Sequence, residues 1–269
     1  MKSHFIIICL FTLGLFNCKS DKNESKTTSE NMSETNQETV MAKKSEIKIT
    51  PISHATFIIQ CDSTVIYVDP VGGSSSFEGQ PKPDLILVTD IHGDHMNAET
   101  LEGIATEKTQ LVLPKIANNQ LSEKLKTQSR VISNGQSLSL TINNNPIKIE
   151  AIPMYNLRPE ASEFHSKGRG NGYVLNLGGQ RVYISGDTED IPEMRSLKNI
   201  DIAFVCMNLP YTMTVESAAS AVLEFKPKKV YPYHYRGTDG LSDVEKFKQL
   251  INDGDNTIEV VQLDWYPVN

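Results

Sequence analysis

Cysteine is nearly absent: the chain has four, and two of them, Cys9 and Cys18, fall in its first eighteen residues. Only Cys61 and Cys206 remain for the body, too few for a disulfide framework, although one Cys61–Cys206 bridge stays open on composition. Cys206 lies in the apolar run DIAFVCMNL and reads as a buried thiol. There is one tryptophan, and aromatics make up 7% of the sequence. Phe5–Phe16 is the one long apolar-to-neutral run, and it is too short to span a bilayer. Positive charge is also in deficit, with a formal net charge of -7. Such a chain repels polyanions on average, which argues against nucleic acid as substrate or partner.

What is present falls into three parts. Residues 1–17 carry one lysine near the start and then the apolar run, the layout of a secretory signal peptide. The residues Leu15-Phe16-Asn17-Cys18 resemble a bacterial lipobox, with leucine three places before the cysteine. That resemblance implies cleavage before Cys18 and lipidation of its thiol, hence an exported cell-envelope lipoprotein held to a membrane by its acyl chains. The stretch after Cys18, to Glu46, contains no aromatic residue, glycine or proline and mixes charges of both signs. It cannot bury enough apolar surface to offset the cost of ordering, so residues 18–46 are expected to be a disordered tether. Residues 47–269 form the expected folded domain.

In that domain short β-rich runs (EIKIT, HATFIIQ, TVIYVDP) precede the buried-strand pattern DLILVTD, a short helix at 97–105, QLVLP and a helix at about 115–127. The strands SRVIS, SLSLTI and PIKIEAIP follow. The hairpin GYVLNLGGQRVYISGDT, the strand DIAFVCMNL, the helix TVESAASAVLEF, KKVYPYHY, a last helix in LSDVEKFKQLIND and an edge strand in TIEVVQL then repeat the order of elements. Meandering strands followed by strand–helix units, twice over, predict an α+β fold of two sheets back to back with helices outside.

DLILVTD runs into Asp90-Ile91-His92-Gly93-Asp94-His95, four metal-type ligands in six positions just past a strand end. Imidazole and carboxylate without thiolate suit zinc or a similar divalent ion. Four such groups cannot all reach one ion from one tight loop, so the spacing fits two adjacent ions. His165 lies in FHSKGRGNG, Asp187 in YISGDT and His234 in VYPYHY, the last two at strand ends, where layered folds assemble sites.

This ligand series resembles that of the metallo-β-lactamase superfamily, whose order is HxHxDH, then His, Asp and His. The resemblance extends over residues 47–269, and Ser53-His54-Ala55-Thr56-Phe57 is similar to a stretch in the small subfamily that includes the ascorbate-phosphate lactonase. It implies a four-layer αβ/βα sandwich of two mixed sheets with a dinuclear metal site between them. Asp90, His92 and His165 would ligate one ion, Asp94, His95 and His234 the other, and Asp187 would bridge. Asp90 departs from the pattern, standing where the family has its first histidine. Its shorter arm and added charge keep zinc as the expected metal but make the first position friendlier to manganese or iron.

The expected chemistry is hydrolysis of a small ester, lactone or phosphoester by a metal-activated hydroxide that Asp94, the catalytic candidate, also orients. Asp69, in YVDP, either orients a ligand imidazole or caps the turn before Pro70. His54 either contacts substrate or packs at the start of its strand. Tyr211, Tyr235 and Arg236 follow strand ends and are candidates for binding a polar or anionic substrate. Arg158, in YNLRPE, is a candidate rim for phosphate or carboxylate. The alternative is a lipoprotein of the same fold that binds metal or ligand and has lost catalysis, with Asp90 as the lesion.

Overall fold

The computed structural model describes residues 44–267. The expected signal segment, Cys18 and most of the expected tether lie outside them. The last residues of that tether stretch are part of the body: the Ser45 amide donates to the Gly178 carbonyl and the Lys44 ammonium pairs with Asp201. Their partners lie more than a hundred residues away, which composition alone does not reveal.

One sheet runs in sequence order through β1 (Ile47–Ser53), β2 (Thr56–Cys61), β3 (Thr64–Val68), β4 (Leu85–Leu87), β5 (Gln110–Leu113) and β6 (Ser129–Val131). Its first three strands are antiparallel and the later pairings parallel. The second sheet holds β7 (Ser137–Ile142), β8 (Asn145–Met154), β9 (Gly170–Leu177), β10 (Gln180–Ile184), β11 (Ile202–Cys206) and β12 (Lys229–Tyr233). It follows the same rule, an antiparallel meander up to β10 and parallel pairing beyond. A small hairpin, β13 (Arg236–Gly237) with β14 (Gly240–Leu241), leads away from the second sheet, and β15 (Glu259–Val260) closes its edge. Helices α1 (Ala98–Ile104), α2 (Lys115–Asn118) and α3 (Glu123–Thr127) belong to the first half of the chain. Helices α4 (Pro192–Arg195), α5 (Val215–Phe225) and α6 (Val244–Gly254) belong to the second.

Side chains on successive strand residues point to opposite faces, and this alternation produces the layers. In the first sheet Phe57, Ile59, Ile66, Val68, Leu85, Leu87 and Val112 join the large core shared with the second sheet. Their neighbours Ile58, Tyr67, Ile86, Leu111 and Leu113 pack on the other face with Leu101, Ile104, Ala117 and Leu125 of α1–α3. In the second sheet the Tyr183 ring meets Phe225 of α5 edge-on, while Phe204 stacks across the sheets on Phe57 at 4.3 Å between centroids. Four layers result: helices, sheet, sheet, helices. One expected element divides: the helix at about 115–127 is two short helices, because Ser122 accepts from the Leu125 amide and starts α3 afresh. Cys61 and Cys206 are both buried and both free, so the bridge that composition left open is not formed.

Phe57 sits at the hinge of this packing, fully buried and also edge-on to Tyr233 and Trp265. Phe57→Ala should cost about 3–5 kcal/mol, read as a lower midpoint in urea denaturation with an unchanged slope.

Candidate metal centre

All the parallel strands of both sheets end on one rim, and side chains just beyond their C-terminal ends meet there. Asp69 follows β3, the Asp90–His95 loop follows β4, Asp187 follows β10, Asn208 follows β11 and His234 follows β12. His165 is supplied by the long loop between β8 and β9. The chain has six histidines, and the five from His54 onward all lie in this cluster.

Two groups of ligand atoms form, each with all members within 4.8 Å of one another: Asp94, His95, Asp187 and His234, and beside them Asp90, His92 and His165. Asp187 links the two. Its Oδ2 lies 3.2 Å from His165 Nε2 and 3.3 Å from His95 Nε2, and its Oδ1 lies 3.1 Å from His234 Nε2. Asp94 Oδ2 lies 3.4 Å from both His234 Nε2 and His54 Nε2, and His92 Nδ1 lies 3.1 Å from Asp90 Oδ2.

The far nitrogens fix which ring atoms face inward. His95 Nδ1 donates to Asp69 Oδ2 at 2.8 Å, so in the neutral ring Nε2 carries a lone pair toward the centre. His165 Nδ1 lies 3.1 Å from the Tyr211 carbonyl, which can only accept, and its Nε2 is aimed inward in the same way. His165 Nε2 and Asp187 Oδ1 are buried without a hydrogen-bond partner despite their close neighbours. Buried polar groups are normally paired, and orphaned lone pairs converging on one point are what a cation satisfies. Backbone conformation points the same way. His54, Asp69 and His234 have φ of 57°, 45° and 46°, a left-handed geometry that side-chain-bearing residues adopt at a cost and that tends to cluster at functional sites.

Burial by itself would lower the pKa of His95, but Asp187 and Asp69 overcome it and raise it well above the ordinary imidazole range. Burial would raise Asp187 and Asp94; the facing histidines overcome it and hold both below the usual carboxylate range. A raised histidine stabilises the fold while it keeps its proton, fully below 6.5, and that contribution is lost as pH rises through the raised value. The depressed carboxylates contribute above their ordinary 3.8 and lose this as pH falls. A cation must displace the histidine proton, so metal should raise the melting temperature more at about pH 8.5 than at about pH 6. Thermal melts of metal-free and metal-loaded protein at the two pH values measure the difference.

A cavity of about 360 Å³ opens over the cluster, lined by His92, Asp94, Phe164, His165, Asp187, Asn208 and Tyr211. Phe164 and Tyr211 meet edge-on at 5.1 Å and form its apolar wall. Of the residues expected to contact substrate, Tyr211 alone lines this cavity. His54 packs on the His234 ring at 4.0 Å, with Nδ1 bonded to the Tyr266 hydroxyl. Tyr235 is buried against Tyr266, and the Arg236 guanidinium lies over the Tyr266 ring at 4.2 Å. Arg158 does not form a recognition rim: its Nε donates to Glu189 and its Nη2 to the Pro210 and Thr212 carbonyls, which ties two loops together.

Asp69 lies against the His95 imidazole. Oδ1 accepts from the Thr89 amide, and Oδ2 from the Thr89 hydroxyl and His95 Nδ1. Sequence reasoning missed Arg169, which grips the fully buried Asp90 with both arms of its guanidinium: Nε to Oδ1 at 3.1 Å and Nη2 to Oδ2 at 2.6 Å. The signal was present in part, since a carboxylate where the pattern has a neutral histidine needs a cation, and FHSKGRGNG offers two.

The family model described as the beta-lactamase superfamily domain matches residues 48–234. The chain is 31% identical over 221 residues to a "UPF0173 metal-dependent hydrolase" of Pyrococcus horikoshii, covering 77% of this chain and 93% of that one. A protein of the same description from Archaeoglobus fulgidus is 28% identical over 228 residues, covering 81% and 96%. Among solved structures, a Parabacteroides distasonis protein described as a metal-dependent hydrolase is 38% identical with a TM-score of 0.71, over 82% of this chain and 94% of that one. A diiron β-hydroxylase of Streptomyces venezuelae, 18% identical with a TM-score of 0.60 over 82% of this chain and 54% of its own, shares the fold.

Proposed function

We propose, since this chain belongs to the metallo-β-lactamase superfamily and its relatives are named metal-dependent hydrolases, that it hydrolyses a small ester, lactone or phosphoester at a centre for two divalent cations. The observation that carries this reading is the convergence of four imidazoles and three carboxylates into two adjoining groups, with buried lone pairs that no hydrogen bond satisfies. Bound cations, zinc first and manganese or iron as alternatives, would acidify a water and polarise an acyl or phosphoryl oxygen.

The chain's own residues prepare that chemistry. Asp69 holds His95 in the tautomer that offers Nε2. Asp187, nearly sealed from solvent, lies between the two groups and fixes their separation. Asp94 is the most open of the carboxylates, at 41% side-chain exposure, and faces the cavity. One of its oxygens can therefore ligate while the other orients the attacking water. Phe164 and Tyr211 exclude solvent from one side and limit the substrate to a compact group. Asn208, also on the cavity wall, holds its side-chain amide nitrogen 3.5 Å from His234 Nε2.

Metal analysis of the purified chain together with turnover of aryl-ester and aryl-phosphoester substrates tests the reading. Bound metal, turnover abolished by a chelator and restored by metal, and loss of both in His95→Ala are expected. Bound metal with no turnover of any substrate would favour the lapsed binding protein of the same fold, and absence of bound metal would refute the centre itself.

The layout of residues 1–17 and the Leu15–Cys18 motif further support export and attachment to a membrane through lipid on Cys18. Among the described residues no helix is long and apolar enough to cross a membrane. Cys18→Ser should abolish incorporation of labelled fatty acid into the protein.

A further inference from the structure

We propose that Arg169 makes the two halves of this centre unequal: the position among Asp94, His95, Asp187 and His234 holds its ion tightly, and the position among Asp90, His92 and His165 fills only weakly. This deepens the metal-centre reading above and rests on it.

Charge decides the order. The first group brings two carboxylates and two imidazoles to one point, and among the polar contacts of those carboxylates in the described residues there is no cationic lysine or arginine. The second group brings one carboxylate, and its charge is already met. Both Asp90 oxygens are engaged by the guanidinium fork, the geometry in which arginine binds a carboxylate most strongly. Oδ2 still faces His92 Nδ1 at 3.1 Å and His165 Nε2 at 3.9 Å, so a lone pair remains for a cation. A dication entering there, however, meets a group whose own carboxylate is neutralised, shares Asp187 with the first position, and faces a fixed positive charge one atom further out. In a site from which water is largely excluded that repulsion is felt strongly.

The pair is built into the fold and is not a surface contact. Asp90 is fully buried and the Arg169 side chain is only 15% exposed. The Asn171 amide donates to the Thr89 carbonyl at 2.9 Å, which sets the start of β9 directly against the end of β4. Gly170 permits that approach, because a Cβ there would sit 2.7 Å from the Thr89 carbonyl oxygen and as close to the Met154 side chain. Arg169, the preceding residue, is thereby delivered to Asp90. An arginine held this way acts as a resident cation, and a metal ion at the second position competes with it.

The experiment is calorimetric titration of the metal-free full chain with Zn²⁺, with bound metal counted by elemental analysis after gel filtration. Wild type should bind one equivalent tightly and a second at least about tenfold more weakly, or retain only one. In Arg169→Gln the guanidinium charge is gone and Asp90 is free to ligate. Its second step should tighten about tenfold or more while the first is unchanged. Should that variant fail to fold for want of a partner for Asp90, the pair Asp90→His with Arg169→Gln leaves no buried unpaired charge and should give the same tightening. Two equivalents of equal affinity in wild type, or a second step that neither variant strengthens, would overturn the inequality and leave the metal centre standing. A chain that takes up no Zn²⁺ at all would overturn the centre along with it.

Discussion

Asp187→Asn should remove the metal-dependent rise in melting temperature and lower turnover by about a thousandfold or more, the equivalent of about 4 kcal/mol. The substitution keeps the shape of the side chain and deletes its charge. That charge is what the inward faces of His95, His165 and His234 share, all within 3.3 Å of one or other Asp187 oxygen. No neighbour can replace it. Asp94 approaches the same His234 Nε2 at 3.4 Å but makes no ion pair with His165 among the described residues, and Asp90 is occupied by Arg169. An amide oxygen ligates a divalent ion far more weakly than a carboxylate, and the amide nitrogen would point a donor at one of the imidazoles. In the metal-free variant His95 and His234 lose the group that most opposes their desolvation, so both should titrate at lower pH than in wild type. Imidazole proton resonances followed through a pH titration would record that shift independently of any activity. Full metal binding and wild-type turnover in Asp187→Asn would show that the two ligand groups do not act as one centre.

The parts of this site that were legible in the sequence share one property: they combine a strand pattern with a chemically distinctive residue just beyond it. DLILVTD, YISGDT and VYPYHY each carry an apolar run fit for a covered strand and then a ligand, and parallel strands in neighbouring positions must end on the same rim. The layering into two sheets with helices outside was legible for a similar reason, since each half meanders and then crosses over. Arginine roles were not legible. Arg158 and Arg169 stand eleven residues apart in the same long loop between β8 and β9. One serves Glu189 and two carbonyls, the other serves Asp90, whose position is 79 residues away in the chain. A guanidinium's task is set by whichever carboxylate the fold buries beside it, and nothing local to the arginine encodes that. The same limit applies to Asp69, where YVDP suits a turn as well as an orienting carboxylate; the choice is made by Thr89 and His95, brought in by β4.

Asp69→Asn should weaken metal affinity about 10–100-fold although Asp69 itself touches no ion. In the native arrangement three donors converge on the two Asp69 oxygens: the Thr89 amide on Oδ1, and the Thr89 hydroxyl and His95 Nδ1 on Oδ2. Burial pushes the Asp69 pKa up, opposed by His95 and Thr89. An asparagine has one accepting oxygen and must turn its NH₂ toward one of those donors. If the NH₂ faces His95, the imidazole is driven to the other tautomer, and its Nε2 then carries a proton where a ligand lone pair is needed. If it faces the Thr89 amide, a buried N–H loses its partner at a cost of about 1–3 kcal/mol, and the loop that carries Asp90 and His92 loosens. Either way the centre suffers at its buried end, where His95 is fully enclosed and water cannot substitute. Competition for Zn²⁺ against a chromophoric chelator separates the two, because a tautomer change weakens metal binding with little change in the melting of the metal-free protein, whereas an orphaned amide lowers that melting temperature as well. Unaltered affinity in Asp69→Asn would mean that His95 holds its orientation by packing alone.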